Sequence, residues 1–378
     1  MGILFGMAPG IHPNMIVLLV PLLISLGSPP AAIVMIVAMA ITNIIVDYIP
    51  SILLGAPDPE SALAVLPGHR MLMAGEGYLA IKLAVLGSLA AIMVCMALLP
   101  LIIILVPMAY TAAQPGIPII LIGFVLIMVW SSKKKILSLL CFLLAGIIGL
   151  LSSGLPISNI LILFPIFTGF FAFPCLLLQI KTKINLPKQS IDSSVEKKKL
   201  VKPALLGSVG GIASGLLPGV GSSEIAGLAT VDKNNHSFLV TLGAIAAANT
   251  LLSFLALWLI GNPRSGVAVA VSQFTDVGLG EFILITIAAL ISAAIAVIIT
   301  LYLARKSLKL IEKIDYSLVS RVIVIMLCIL VVYFTGIAGL LLATLCCALG
   351  MVVNLSGIKR GLLMGVLILP TILFYMGI

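Results

Sequence analysis

Charge is scarce in this chain. Its 378 residues carry 12 acidic and 21 basic side chains, 9% in all, against 62% hydrophobic residues and a mean hydropathy of +1.33. A soluble domain holds roughly 25% charged residues, so a water-exposed globule is excluded and an integral membrane protein is indicated. The polar alternation of an outer-membrane barrel is missing too. No cleavable leader with a cut site precedes the apolar stretches, and the first segment is expected to belong to the mature protein. Enzyme constellations are equally thin. There is no His-Glu-x-x-His, no Gly-x-Ser-x-Gly and no pair of intramembrane aspartates, so no catalytic residue is expected. Gly219-Val220-Gly221-Ser222-Ser223 lacks the lysine of a nucleotide-phosphate loop, which argues against ATP hydrolysis. Cys95, Cys141, Cys175, Cys328, Cys346 and Cys347 lie in apolar runs without Cys-x-x-Cys spacing. They read as small buried hydrophobes, with no disulfide, structural metal or cofactor implied. The net charge of +9 comes from basic residues in short loops beside spans, a record of topology that needs no nucleic-acid partner.

What the chain does have is a motif written twice. Gly2-Ile3-Leu4-Phe5-Gly6-Met7-Ala8-Pro9-Gly10 is matched 209 positions later by Gly211-Ile212-Ala213-Ser214-Gly215-Leu216-Leu217-Pro218-Gly219. Asn43 then pairs with Asn249, Gly55 and Pro57 with Gly261 and Pro263, and Gly75-Glu76 with Gly280-Glu281, the offset closing to 205. With 34 glycines in the chain any one match is weak. The order of the matches indicates a duplication of membrane-spanning material punctuated by backbone breaks.

The apolar stretches predict an all-α, polytopic protein of about 10–12 transmembrane or re-entrant helices, each span needing roughly 20 residues. Spans are expected near 14–28, 31–55, 77–107, 116–132, 136–151 and 156–179 in a first repeat, 1–179. A linker, 180–203, with seven lysines is expected to be cytoplasmic and flexible. The second repeat, 204–378, offers 204–230, 237–260, 280–304, 318–335, 337–355 and 361–378. Lys133-Lys134-Lys135 places the end of the 116–132 span in the cytoplasm, so the 77–107 span finishes outside, at an uncharged loop over 108–116. Its partner, 280–304, runs into Arg305, Lys306, Lys309 and Lys313, which belong inside. Equivalent helices therefore point in opposite directions, the arrangement of an inverted-repeat transporter.

The chemistry is expected where helices break. Pro13 biases His12 away from the α region and Gly10 admits positive φ, while Pro218-Gly219-Val220-Gly221 does the same in the second repeat. Pro13-Asn14 and Ser222-Ser223-Glu224 then restart helices whose free amides and positive ends could seat a carboxylate. The plainer reading is that Ser222, Ser223 and Glu224 only cap a helix. The predicted anion site is Pro9, Gly10, His12, Asn14, Pro218, Gly219, Gly221, Ser222 and Ser223. Asn43 and Asp47 stand four apart on one helical face and predict a sodium site or a proton shuttle, unless Asp47 sits at the cytoplasmic interface where Pro50 ends the helix. Asn249 and Thr250 are the second-repeat counterparts, with Phe254 expected in place of the acid. Asp58, Glu60, Arg264, His69, Arg70 and His236 read as loop or loop-edge residues.

The doubled Gly-x-x-x-Gly-x-x-Pro-Gly element resembles the large permease subunit of the tripartite tricarboxylate transporter family. Gly55-Ala56-Pro57, Pro67-Gly68-His69-Arg70-Met71 and Gly75-Glu76 look like that family's next block. The resemblance implies a plasma-membrane carrier for citrate-like carboxylates driven by a sodium or proton gradient, with a small membrane subunit and an extracytoplasmic binding protein. Two features depart from the family pattern: the chain is shorter than the usual permease, as a divergent archaeal-type member could be, and Pro67-Gly68-His69-Arg70 stands where an Asp-Gly-Tyr-Pro-like stretch is common. A homodimer is expected from the repeat architecture. The competing readings are an uncoupled channel and a non-transporting membrane scaffold or assembly protein.

Overall fold

In the computed structural model the chain is described at residues 1–7, 28–53, 65–158, 161–180, 187–191, 197–216, 225–226, 234–261, 263, 265–311 and 316–377. Among these residues every regular element is helical: α1 (Gly2–Met7), α2 (Pro29–Val46), α3 (Tyr48–Leu53), α4 (Val65–Met73), α5 (Gly77–Ala97), α6 (Leu99–Ala113), α7 (Ile117–Trp130), α8 (Lys135–Ser152), α9 (Leu163–Phe167), α10 (Phe173–Ile180), α11 (Lys197–Leu216), α12 (Asn235–Ile260), α13 (Gly266–Ser272), α14 (Leu279–Ile311), α15 (Tyr316–Ser356) and α16 (Gly365–Met376). Among the described residues seven helical stretches are long and apolar enough to cross a membrane: Pro29–Leu53, Gly77–Ala97, Leu99–Trp130, Lys135–Ser152, Asn235–Ile260, Leu279–Leu310 and Ser317–Ser356. Three shorter apolar helices, Leu163–Leu178, Leu200–Gly215 and Arg360–Met376, accompany them. The protein is a multi-pass membrane protein. Ser317–Ser356 reaches roughly 60 Å at 1.5 Å per residue, about twice a bilayer core, and Gly336 breaks it at φ 66° and ψ −167°, between the two spans read from the sequence.

Two expected boundaries move. Residues 108–113 are helical, because α6 continues through Pro107 to Ala113 and a single 3-10 turn, Gln114–Gly116, leads into α7. No breaker follows Pro107 before Pro115, and Thr111 Oγ1 donates back to the Pro107 carbonyl at 2.8 Å. The 77–107 stretch is instead interrupted at Leu98, where ψ is 6°. The linker is also less slack than its lysines suggested. α11 starts at Lys197 rather than 204, and residues 187–191 are fixed against the α4–α5 turn by hydrogen bonds.

The side chains form two separate bodies. The larger core draws on 32–106 and 204–308, that is α2–α6 with α11–α14. The smaller body draws on 117–176 and 323–372, from α7–α10 with α15–α16. Each half of the sequence supplies part of each body. Among the described residues, the substantial helix–helix contacts fall within one body or the other.

Within the larger body, a Cβ at Gly87 would overlap the Val240 carbonyl, and one at Gly243 would overlap the carbonyl of Ala84. One number rises as the other falls, so α5 and α12 are antiparallel. Ser88 Oγ lies 3.0 Å from the Gly243 carbonyl oxygen, donating across that seam. Helices lacking any side chain at the crossing approach closely, as small residues allow in membranes. The Nε of Arg305, late in α14, donates to Tyr78 Oη, early in α5, at 3.0 Å. The start of α5 thus meets the end of its repeat equivalent α14, and the two lie side by side and antiparallel.

The smaller body repeats one contact with the halves exchanged. A Cβ at Gly149 would strike the Val366 carbonyl and one at Gly350 the Phe170 carbonyl; a Cβ at Gly365 would strike the carbonyl of Phe142 and one at Gly169 that of Ala343. Adding 201 to Gly149 and Phe142 gives Gly350 and Ala343. Adding 196 to Phe170 and Gly169 gives Val366 and Gly365. Residue i touching j while j′ touches i′ is the signature of a two-fold relation.

Candidate transport site

The predicted anion residues Pro9, Gly10, His12, Asn14, Pro218, Gly219, Gly221, Ser222 and Ser223 lie outside the described residues, as do Asp58, Glu60 and Arg264. What the structure fixes is the helix ends on either side of them. A Cβ on Gly2 would stand 2.9 Å from the Met39 carbonyl oxygen and one on Gly6 2.8 Å from that of Asn43. The numbers climb together, so α1 runs parallel to α2. In the second half a Cβ on Gly211 would stand 2.6 Å from the Ile245 carbonyl oxygen, and one on Gly215 2.7 Å from Leu252 Cδ2. α11 runs parallel to α12 in the same way. The glycines that precede each Pro-Gly pair therefore seat their helix on the one that carries Asn43 or Asn249, and the chain enters each Pro-Gly segment beside that asparagine. Ile225, next after Glu224, packs against both the larger core and the smaller body.

Asn43 is 1% exposed, and neither its Nδ2 nor its Oδ1 makes a hydrogen bond among the described residues. A buried amide without partners costs about 1–3 kcal/mol, an outlay that a purely structural asparagine does not normally carry. One turn later Asp47, 7% exposed, accepts from Ser51 Oγ at its Oδ2, 2.8 Å away. The helix is distorted there for a plain reason: Pro50 has no amide hydrogen to give to Val46, so α2 ends at Val46 and α3 begins at Tyr48. Asp47 is buried with the surrounding turn, and all of α3 is buried.

In the second half Asn249 is half-buried and Thr250 is buried. The expectation that Phe254 replaces the acid is corrected: the 206-residue offset that pairs Asn43 with Asn249 pairs Asp47 with Ser253. Ser253 is 3% exposed, donates to the Thr250 carbonyl and accepts from Ser265 Oγ at 3.0 Å, whereas Phe254 is plain core. Ser265 in turn caps α13 by accepting from the Ala268 amide. Ser51 and Ser253 escaped the sequence reading because single serines in apolar runs give no periodic signal. The constant offset would have found Ser253. His69 and Arg70 lie in α4, and His236 opens α12, where Asn234 Oδ1 accepts from its amide.

The model of the tripartite tricarboxylate transporter TctA family matches residues 1–365. The chain belongs to this family. It is thereby a component of a tricarboxylate transporter, in a family of tripartite systems with a binding protein and a small membrane subunit. The chain is also similar to the uncharacterized protein MJ1079 of Methanocaldococcus jannaschii, 30% identical over 387 aligned positions that cover 99% of this chain and 96% of that one. No solved structure matches.

Proposed function

We propose that this TctA-family protein is a secondary active carrier of small organic anions, di- or tricarboxylates of the citrate type, that works by alternating access and is driven by a sodium or proton gradient. The observation that carries the reading is Asn43: a wholly buried amide with no hydrogen-bond partner among the described residues, one turn from a buried carboxylate, beside the end of the helix that leads into Pro9-Gly10. In this reading the cation sits at Asn43 and Asp47, with Asn249 and Thr250 as the weaker second-half counterpart. The carboxylate is held between the two Pro-Gly segments, and the two bodies shift against each other about the seam at Ile225 to expose it to either side. The working unit is proposed to be a homodimer.

A thermal-shift screen of di- and tricarboxylates with and without sodium tests the reading. A ligand that binds only the folded state adds about 2.7 kcal/mol at a hundredfold excess over its Kd, so the right anion and cation should each raise Tm and together raise it further. Uptake into vesicles should then require the gradient of that cation. Flux that ignores every cation gradient would make the protein a channel.

A further inference from the structure

The segment joining the halves holds a feature the transport reading does not use. Gln189 lies in a lysine-rich linker, yet it is 7% exposed. Its Oε1 accepts from the Gly77 amide at 2.9 Å, and its Nε2 donates to the carbonyls of Leu72 at 2.9 Å and Pro187 at 2.8 Å. Beside it the Ser190 amide donates to the Gly75 carbonyl at 2.8 Å. Glu76, at the N-cap position of α5, makes no side-chain cap, so Gln189 caps α5 from 112 residues away. The corner is shaped for it: a Cβ on Gly75 would meet the Lys188 carbonyl oxygen at 2.9 Å, and one on Gly77 would meet Gln189 Oε1 at 2.8 Å. Among the described residues the second half shows no such clasp. Gly280, the counterpart of Gly75, has open space around it, and Glu281 serves its own corner by accepting from the Gly278 amide.

We infer that residues 187–191 are a permanent clasp on the α4–α5 corner and that Gln189 is a positioning residue for the proposed cation site. The link runs through α4. Its C-terminal carbonyl at Leu72 is held by Gln189, and its Gly68 rests on Ile52 of α3, where a Cβ would stand 2.8 Å from Ile52 Cγ1. α3 carries Ser51, the donor to Asp47. The positioning half of the inference rests on the cation reading above; the clasp itself does not.

Limited trypsin digestion of the purified full-length protein in detergent, read at Lys188, tests the clasp. Gln189→Ala should speed cleavage there by about tenfold or more, the scale of a lost buried hydrogen-bond set. Gln189→Glu, which keeps the acceptor for Gly77 but loses the donor to Leu72, should fall between. Cleavage at the wild-type rate in both would overturn the clasp. Vesicle uptake tests the positioning role: Gln189→Ala should raise the cation concentration for half-maximal citrate uptake several-fold while the maximal rate stays within about twofold. An unchanged cation dependence beside faster cleavage would reduce Gln189 to a structural residue. Absence of cation-driven uptake in the wild type would remove the cation reading and the positioning role with it, leaving the trypsin result to decide the clasp alone.

Discussion

Asn43 sets stability against function at a single side chain. Replacing it by leucine, the same γ-branched shape without polar atoms, removes two buried unsatisfied groups, so Asn43→Leu should raise Tm in the absence of ligand by the equivalent of about 1–2 kcal/mol while abolishing uptake. Full uptake in that variant would end the cation assignment. His69 offers a test by pH. Burial holds its imidazole below the ordinary 6.5, so protonation favours the unfolded chain. Its contribution is fully present above about pH 6.5 and is lost as pH falls through the lower folded value. Tm should therefore drop between about pH 7 and pH 5, and His69→Asn should flatten that slope. The Asn43–Asp47 pair was legible because four-residue spacing puts two polar groups on one face of an apolar helix. The serine that supports Asp47 was not, since a hydroxyl in a transmembrane helix more often turns back to its own backbone, as Thr300 does onto Ala296.

Helices in this protein are placed by what their glycines leave out. The α5–α12 crossing depends on Gly87 and Gly243, each facing carbonyl backbone that cannot retreat. Gly243→Val should cost about 3 kcal/mol or more and lower the yield of folded protein in detergent. A variant as stable as the wild type would show that the helices can separate there. In contrast, valine at Gly219 or Gly221 is expected to abolish transport and leave membrane insertion intact, measured as uptake against the amount of protein in the membrane. The helical spans were readable because apolar length alone reports them. The helix through 108–113 and the clasp at Gln189 were not. Proline and lysine are only local biases, and each was outweighed by a partner: Thr111 bonding back to Pro107, and the Gly75–Gly77 corner receiving the linker.

At the scale of the molecule, the halves of the sequence are not the bodies of the structure. Each body is assembled from both halves, and the exchanged pairs Gly149–Val366 with Gly350–Phe170, and Phe142–Gly365 with Ala343–Gly169, give the smaller one its two-fold character. A carrier built this way should lose uptake when the two bodies are bound together and keep it when a bond is placed inside one. A disulfide introduced across the α5–α12 seam should leave uptake near the wild-type rate, whereas cross-linking Ile225→Cys to the smaller body should stop it reversibly, restored by reductant. Equal tolerance of both bonds would mean that the bodies do not move.

The sequence by itself determined the membrane class, the helical content and the doubled motif, and it predicts an opposed orientation of the two copies. These follow from composition, apolar length and the placement of lysines, all of which act locally or along one span. Only the tertiary structure decided that the copies interleave into two bodies, that Asn43 is left without a partner among the described residues, that Ser253 is tied to Ser265, and that residues 187–191 pack on the α4–α5 corner. Those outcomes depend on which backbone a missing side chain lets through and on which polar atoms meet across more than a hundred residues, and neither quantity is written at any one position of the chain.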